Sequence, residues 1–174
     1  LAALGTYQSN NAAVAIARMK PNHFLQISEG EIALVLDSIR DPGNLGTIIR
    51  TADWYGIKSI IASPDTADFY NPKVLSATMG SFTRVEIQYV SLVDYLIAAH
   101  KPIYGTFLDG LDVHQLSFKT GGLIVIGNES NGISAEVEKL VSQKITIPRV
   151  GRAESLNAAI ATGIVLDVIR ASQK

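Results

Sequence analysis

From residue 31 onward, short apolar runs alternate with segments of helical spacing. The runs predict strands at Ile32–Asp37, Ser59–Ala62, Val85–Val90, Ile103–Leu108, Leu123–Ile126 and Ile145–Ile147. Between and after them the pattern predicts helices at Asn44–Tyr55, Pro72–Met79, Leu92–His100, Ala135–Val141 and Ser155–Ala171. Near-continuous apolar strands separated by helices indicate a parallel sheet covered on both faces, an α/β domain. Residues 1–30 break this rhythm: Leu1–Met19 is polar and rich in small residues around one apolar stretch, and Lys20-Pro21-Asn22 interrupts it. They are read as a connecting arm with room for one strand, ahead of a single domain over residues 31–174.

Composition narrows the chemistry. The chain has 174 residues and no Cys, which removes disulfide frameworks, thiolate metal sites and cysteine nucleophiles. His23, His100 and His114 are scattered, so a histidine-rich metal site is not expected either. Fifteen basic against sixteen acidic residues give a net charge of −1, which excludes gripping nucleic acid by bulk charge while leaving room for a local basic face. A mean hydropathy of +0.22 points to a large core, a buried subunit face, or both. The apolar runs are far shorter than the ~20 residues of a membrane-spanning helix, and the N-terminal stretch has no signal-peptide pattern. A cytoplasmic protein is the expectation. The absence of an initiator Met predicts a segment upstream of Leu1. Asn128-Glu129-Ser130 fits a glycosylation sequon and is read as chance in that setting.

Ligands of open α/β sheets bind beyond the carboxyl ends of the strands, and three loops stand out there. The first runs from Asp37 to Arg50. Pro42 and Gly43 make a turn, Asn44 is read as the helix N-cap, and Gly46 permits close approach of a backbone or ligand. Arg50 follows Asn44 by six residues, about 120° around the helix. The second, Gly122–Ser134, resembles a phosphate-binding loop in the spacing of Gly127, Gly132 and Ser134. Ile133, however, stands where the phosphate-binding Lys is required, and Glu129 repels a triphosphate. It is read as a backbone cradle for a ligand without phosphates. The third, Ile147–Gly163, carries Pro148 and Gly151, a Ser155 able to cap the last helix, and Asn157 beside a small-residue face of Ala158, Ala159, Ala161 and Gly163. Asn157 is either a member of a hydrogen-bond network or a solvated residue of the first turn.

Other signals weaken on inspection. Dinucleotide, hydrolase-elbow and zincin fingerprints are missing. Asp109, Asp112 and His114, beside Gly110, read as a loop and not as an acid–base cluster. Trp54 and Tyr55 read as core or interface residues, not as a stacking platform.

In this order and spacing, the three loops resemble the motifs of SpoU-type RNA 2′-O-ribose methyltransferases of the SPOUT superfamily. The matching pieces are Asn44-Leu-Gly-Thr-Ile-Ile-Arg50-Thr-Ala, Ile126-Gly-Asn-Glu129-Ser-Asn-Gly132, and Ile147-Pro148 with Ser155-Leu156-Asn157. Arg149 departs from the apolar residue, commonly Met, found there in the family. The resemblance implies a C-terminal deep trefoil knot, an exception to the rule against knots. It also implies a homodimer and S-adenosylmethionine (AdoMet) bound in the knot. By the same resemblance, Thr106, Leu108, Gly127, Ile147 and Leu156 contact the cofactor, and Asn44, Arg50, Glu129, Ser155 and Asn157 form the catalytic set.

For such a reaction a ribose hydroxyl must meet a sulfonium methyl in line, so positioning supplies much of the acceleration. A guanidinium is a poor base, and Arg50 is read as a cationic clamp on a phosphate or the developing alkoxide. Asn44, Ser155 and Asn157 then orient ribose and loop, while Glu129 favours the sulfonium or braces the cradle. Arg40, Arg50, Arg149 and Arg152 are expected to gather tRNA or rRNA phosphates locally. Gly5–Lys20 resembles the last strand and linker of a ribosomal-protein-like RNA-binding domain, so residues 1–30 are read as its remnant. Two other readings stay open at this point: a non-catalytic RNA-binding or dimerisation module with a vestigial pocket, and a nucleotide-binding hydrolase or oxidoreductase.

Overall fold

The computed structural model describes residues 16–118 and 120–173. All the predicted strands and helices are present, with ends shifted by a few residues. The strands are β1 (Ile32–Leu36), β2 (Ser59–Ala62), β3 (Glu86–Tyr89), β4 (Ile103–Asp112), β5 (Gly122–Ile126) and β6 (Gln143–Thr146). The helices are α1 (Pro42–Trp54), α2 (Pro72–Thr78), α3 (Leu92–Ala99), α4 (Ala135–Glu138) and α5 (Ala158–Ser172). The six strands form one parallel sheet in the order β3-β2-β1-β5-β4-β6.

Period-two alternation along the buried strands divides the core into two layers. Ile32, Leu34 and Leu36 of β1 point to the layer formed with α1, α2 and α5, which also takes in Ile48, Ile49, Val74, Leu166 and Ile169. Ala33 and Val35 point to the opposite layer, where Leu92, Tyr95 and Leu96 of α3 meet Val137 of α4. All five β1 residues are buried, as a central strand covered on both sides requires.

Helix α1 shows how the local sequence produces an element. Asp41 is its N-cap, accepting from the Asn44 backbone N–H at 2.7 Å, and Pro42 occupies the first turn, where a missing N–H costs nothing. Leu45, Ile48, Ile49 and Ala52 recur at helical spacing and are fully buried. Asn44 is therefore not the cap, contrary to the sequence reading: the helix starts two residues earlier and the Asn44 side chain is left free for other partners. Ser155 is not the cap of α5 either. Asn157 takes that place, its Oδ1 accepting from Ala159 N–H at 2.9 Å and Ile160 N–H at 3.3 Å.

Two further expectations change. Trp54 is 84% exposed at the end of α1 and is not a core residue, whereas its neighbour Tyr55 packs against the core and donates to Asp167 at 3.2 Å. Strand β4 does not stop at Leu108. It bulges between Thr106 and Leu111 and pairs again with β6 through Leu111 and Asp112, so Asp109, Gly110 and Asp112 belong to a strand extension and not to a loop.

Residues 1–15 lie outside the described residues, and with them most of the Gly5–Lys20 stretch. Residues 20–27 run beside β3 and α3. Asn22 donates through Nδ2 to the Tyr89 carbonyl at 2.9 Å, and its Oδ1 accepts from the Tyr89 N–H at 3.1 Å. Leu25 and Ile27 are buried in the α3 layer, and Gln88 and Tyr95 bond the Leu25 backbone from β3 and α3.

Close helix contact places a strict demand on one position. A Cβ on Gly46 would stand 2.5 Å from Ala77 Cβ and 2.7 Å from the Val74 carbonyl oxygen of α2. Gly46→Ala is expected to force α1 and α2 apart and cost about 1–3 kcal/mol, read as a lower urea midpoint. Gly163→Ala is the control: its added methyl meets only Thr51 Cγ2 at 3.8 Å, an ordinary contact, and helix propensity favours it by up to about 1 kcal/mol.

Candidate active site

Because every strand runs the same way, the loops after β1, β4, β5 and β6 emerge at one edge of the sheet. β1 and β5 pair in register, Leu36 opposite Ile126, so the loops that follow begin side by side. The β1 loop leads into α1 on one face of the sheet, and the β5 loop leads into α4 on the other. That reversal opens a crevice at the carboxyl ends, the place where ligands of such sheets bind.

Side chains bridge the crevice. Asp37, only 5% exposed, accepts the Ser134 N–H at 2.8 Å, and Asn128 Nδ2 donates to the Ser38 carbonyl at 2.7 Å. The loop of Asn128 is closed on itself: Asn128 and Gly132 exchange backbone hydrogen bonds of 3.0 and 2.9 Å, and Asn128 Oδ1 accepts from Ser130 and Asn131 N–H. Gly127 makes this closure possible, since a Cβ there would lie 2.3 Å from the Gly132 carbonyl carbon. The P-loop-like segment is thus a tight self-paired turn, and its acidic member Glu129 is exposed at the tip.

Three residues of the sequence-derived set come together in one hydrogen-bonded chain. Asn44 Nδ2 donates to Glu129 Oε1 at 2.5 Å, and Asn44 Oδ1 accepts from Asn157 Nδ2 at 2.9 Å. The order Glu129–Asn44–Asn157 connects the loop after β5, the first turn of α1 and the cap of α5. Asn157 is a network member, since both ends of its amide are engaged. Arg50 stands exposed on α1, about 120° around the axis from Asn44, and Ser155 is exposed ahead of α5. Among the described residues neither side chain makes a hydrogen bond or ion pair. Both are left available to groups outside the chain.

The second residue set lies at the bulge of β4, just beyond β5 and β6, and ahead of α5. Thr106 of β4 donates to the Val125 carbonyl of β5 at 2.9 Å, and Gly127 follows β5 directly. Ile147 follows β6 and packs against the core. Leu108 and Leu156 are 76% and 47% exposed. Residues 148–157 are exposed, and among the described residues 148–156 make no backbone–backbone hydrogen bonds. The Ala153 carbonyl accepts from the Arg149 guanidinium at 3.2 Å; the other amides and carbonyls, beside exposed leucines, make a lining suited to a ligand of mixed polar and apolar character.

The sequence reading missed the supports of this site. Asp41 carries the cap signal of an acidic residue directly before Pro42, three positions ahead of Asn44. Ser38 adopts φ +61°, a left-handed conformation that a residue with a Cβ rarely takes and that no sequence pattern announces. Asp65, beyond β2, accepts from Ser38 Oγ at 2.8 Å, Arg40 Nη2 at 2.9 Å and Ser63 Oγ at 2.7 Å. The Arg40 guanidinium and the two hydroxyls hold its carboxyl at about 2, well below the ordinary 3.8.

Comparison with known proteins agrees with this geometry. The sequence profile of the SpoU rRNA Methylase family matches residues 31–167. The chain is 35% identical over 141 residues to the 23S rRNA (guanosine(2553)-2'-O)-methyltransferase RlmP of Bacillus subtilis, covering 79% of this chain and 57% of that protein. A crystal structure of an AdoMet-bound rRNA methyltransferase from Sinorhizobium meliloti superposes with a TM-score of 0.80 at 39% identity, over 84% of this chain and 58% of that one. The SpoU methyltransferase AviRb of Streptomyces viridochromogenes, in complex with AdoMet, gives 0.75 at 34% identity, over 83% and 62%. The chain therefore spans little more than half the length of the relatives it matches. Its six-stranded parallel sheet, its three loops in order and the profile match together place it in the SpoU rRNA methylase family.

Proposed function

We propose that this chain carries the methyl-transfer domain of an AdoMet-dependent RNA methyltransferase, acting on a ribose 2′-hydroxyl of tRNA or rRNA. The observation that carries the reading is the Glu129–Asn44–Asn157 chain, which locks one polar side chain from each of three loops into a single arrangement. Neither a vestigial pocket nor a nucleotide hydrolase calls for that arrangement. The names of the Bacillus and Streptomyces relatives point the same way.

The residues at the strand ends fit AdoMet. Thr106, Leu108, Gly127, Ile147 and Leu156 would hold it through backbone groups and apolar surface, as the 148–156 backbone outside any ladder and the exposed leucines support. When bound, AdoMet supplies an electrophilic methyl group on a positively charged sulfur. Arg50, charged and without an internal partner, is the clamp for a phosphate or the developing alkoxide. Asn44 and Asn157 hold the loops in register, Ser155 offers a hydroxyl to the ribose, and Glu129 both fixes Asn44 and places negative charge near the sulfonium.

The same reading includes a trefoil knot, supported by the path of the chain. β6 is an edge strand, yet α5 packs on α1 over the middle of the sheet, so residues 147–157 must cross the carboxyl ends of β4 and β5. It includes a homodimer, for which Val150, Leu156 and Ile160, 100%, 47% and 56% exposed around the third loop, supply apolar surface. Residues 1–30 are assigned to the linker and remnant of an upstream RNA-binding domain, in keeping with relatives of which the chain covers 57–62%. No helix among the described residues is long and apolar enough to cross a membrane, and a cytoplasmic setting suits an RNA substrate.

Calorimetry with AdoMet is expected to give a measurable heat; no heat and no thermal shift at millimolar AdoMet would refute the reading. Arg50→Ala is expected to lower methyl transfer by about 10²–10³-fold with AdoMet affinity nearly unchanged. Asn157→Asp keeps the helix cap but removes the donor to Asn44, so its melting temperature should stay near that of the parent while turnover falls. Asn157→Ala should lose both, with about 0.5–2 kcal/mol of stability.

A further inference from the structure

The Glu129–Asn44–Asn157 chain is only as well placed as the loops that present it, and the β5 loop has few ties to the rest of the molecule. Besides the Glu129–Asn44 bond and the Ser134–Asp37 bond, the tie that crosses the crevice ends on the Ser38 carbonyl, which receives Asn128 Nδ2 at 2.7 Å. The direction of that carbonyl depends on the left-handed conformation of Ser38. A serine holds such a conformation only when its surroundings over-determine it. Here two bonds do so: its N–H donates to Ser63 Oγ at 2.8 Å, and its Oγ donates to Asp65 Oδ2.

Asp65 is the hub of this arrangement. Its second oxygen accepts from Ser63 Oγ, so it fixes the acceptor of the Ser38 N–H as well as the Ser38 hydroxyl. Ser63 Oγ also meets Thr66 Oγ1 at 3.0 Å, and the Ser63 N–H donates to the Leu36 carbonyl, which ties the hub to the end of β1. Arg40 closes the far side with an ion pair of 2.9 Å. From Asp65 the path runs through Ser38, Asn128 and the self-closed turn to Glu129, and from there to Asn44 and Asn157.

We propose that Asp65 is a positioning residue for the methyl-transfer site: by holding Ser38 left-handed it aims the carbonyl that anchors Asn128, and so sets Glu129 and Asn44. The proposal rests on the methyltransferase reading for its effect on turnover, but not for its effect on the loop. Asp65 acts through Ser38 and Ser63, not by contact with substrate or cofactor.

The test uses the full chain, Asp65→Ala, and the double variant Asp65→Ala/Ser38→Gly. Glycine adopts positive φ without strain, so the double variant keeps the carbonyl direction without the carboxylate. Side-chain amide exchange of Asn44 and Asn128 by ¹⁵N NMR is the first readout. Asp65→Ala is expected to speed that exchange about tenfold or more, with backbone amides of β1 and β5 unchanged within about twofold. The double variant is expected to recover most of the protection. Turnover of tritiated AdoMet on an unmodified 23S rRNA transcript is the second readout: kcat should fall roughly 10–100-fold in Asp65→Ala, with the KM for AdoMet little changed, and return in the double variant. Unchanged Asn exchange in Asp65→Ala overturns the proposal. So does a loss of protection spread evenly through β1 and β5, which marks Asp65 as a general structural residue, or a double variant no better than the single one. If the parent chain transfers no methyl group to this transcript while binding AdoMet, the choice of RNA is wrong; if it does not bind AdoMet, the methyltransferase reading fails. In both cases the amide exchange still judges the role of Asp65.

Discussion

The parallel ladder between β1 and β5 is the constraint on which the rest of the site depends. Five residues pair on each side, and the register ends with Leu36 beside Ile126. Asp37 and Gly127 therefore leave the sheet as neighbours, although 90 positions separate them in the sequence. Everything polar in the site is built outward from that seam: the buried Asp37 carboxylate takes one amide of the far loop, and Ser38 anchors the other end of it. A slip of one residue would turn Asp37 to the opposite face and leave Ser134 and Asn128 without partners. The apolar core, by holding register, sets the hydrogen-bond geometry at the edge.

Polar bonds at that edge are individually modest, about 0.5–1.5 kcal/mol each net, and most of the side chains involved are partly exposed. Their contribution is to shape, not to the stability of the fold. Asn44 illustrates the point. Because Asp41 caps α1, the Asn44 amide is free to face sideways with one donor and one acceptor, and a residue of that type can join an acceptor on Glu129 to a donor on Asn157. Aspartate at position 44 could not do both, and serine could not reach both.

The architecture was legible from apolar spacing alone, because strands covered on both faces must be apolar throughout and the intervening helices carry their own period. The three loops were legible as motifs for a different reason: each contains Gly, Pro, Asn or Ser where a strand ends, and those residues are costly in elements and useful in turns. Helix starts were misplaced at Asn44 and Ser155 because several residues in each loop can cap, and only tertiary partners decide which one does. Helical spacing offers core or interface for Trp54, and its position on α1 removes the core alternative by turning it away from the buried stripe of Leu45, Ile48, Ile49 and Ala52. Ser38 and Asp65 were invisible, since backbone handedness and a bond across 27 positions leave no periodic trace.

The arm beside β3 has a consequence for how the sheet ends. An outer strand normally exposes N–H and C=O groups that any extended chain can extend, the usual route to sheet growth between molecules. Here one asparagine amide presents a donor and an acceptor to Tyr89, imitating a single residue of a neighbouring strand. A side chain used this way satisfies the edge but offers no further ladder on its outer side. Among the described residues the sheet is closed at that point by a group that cannot propagate it.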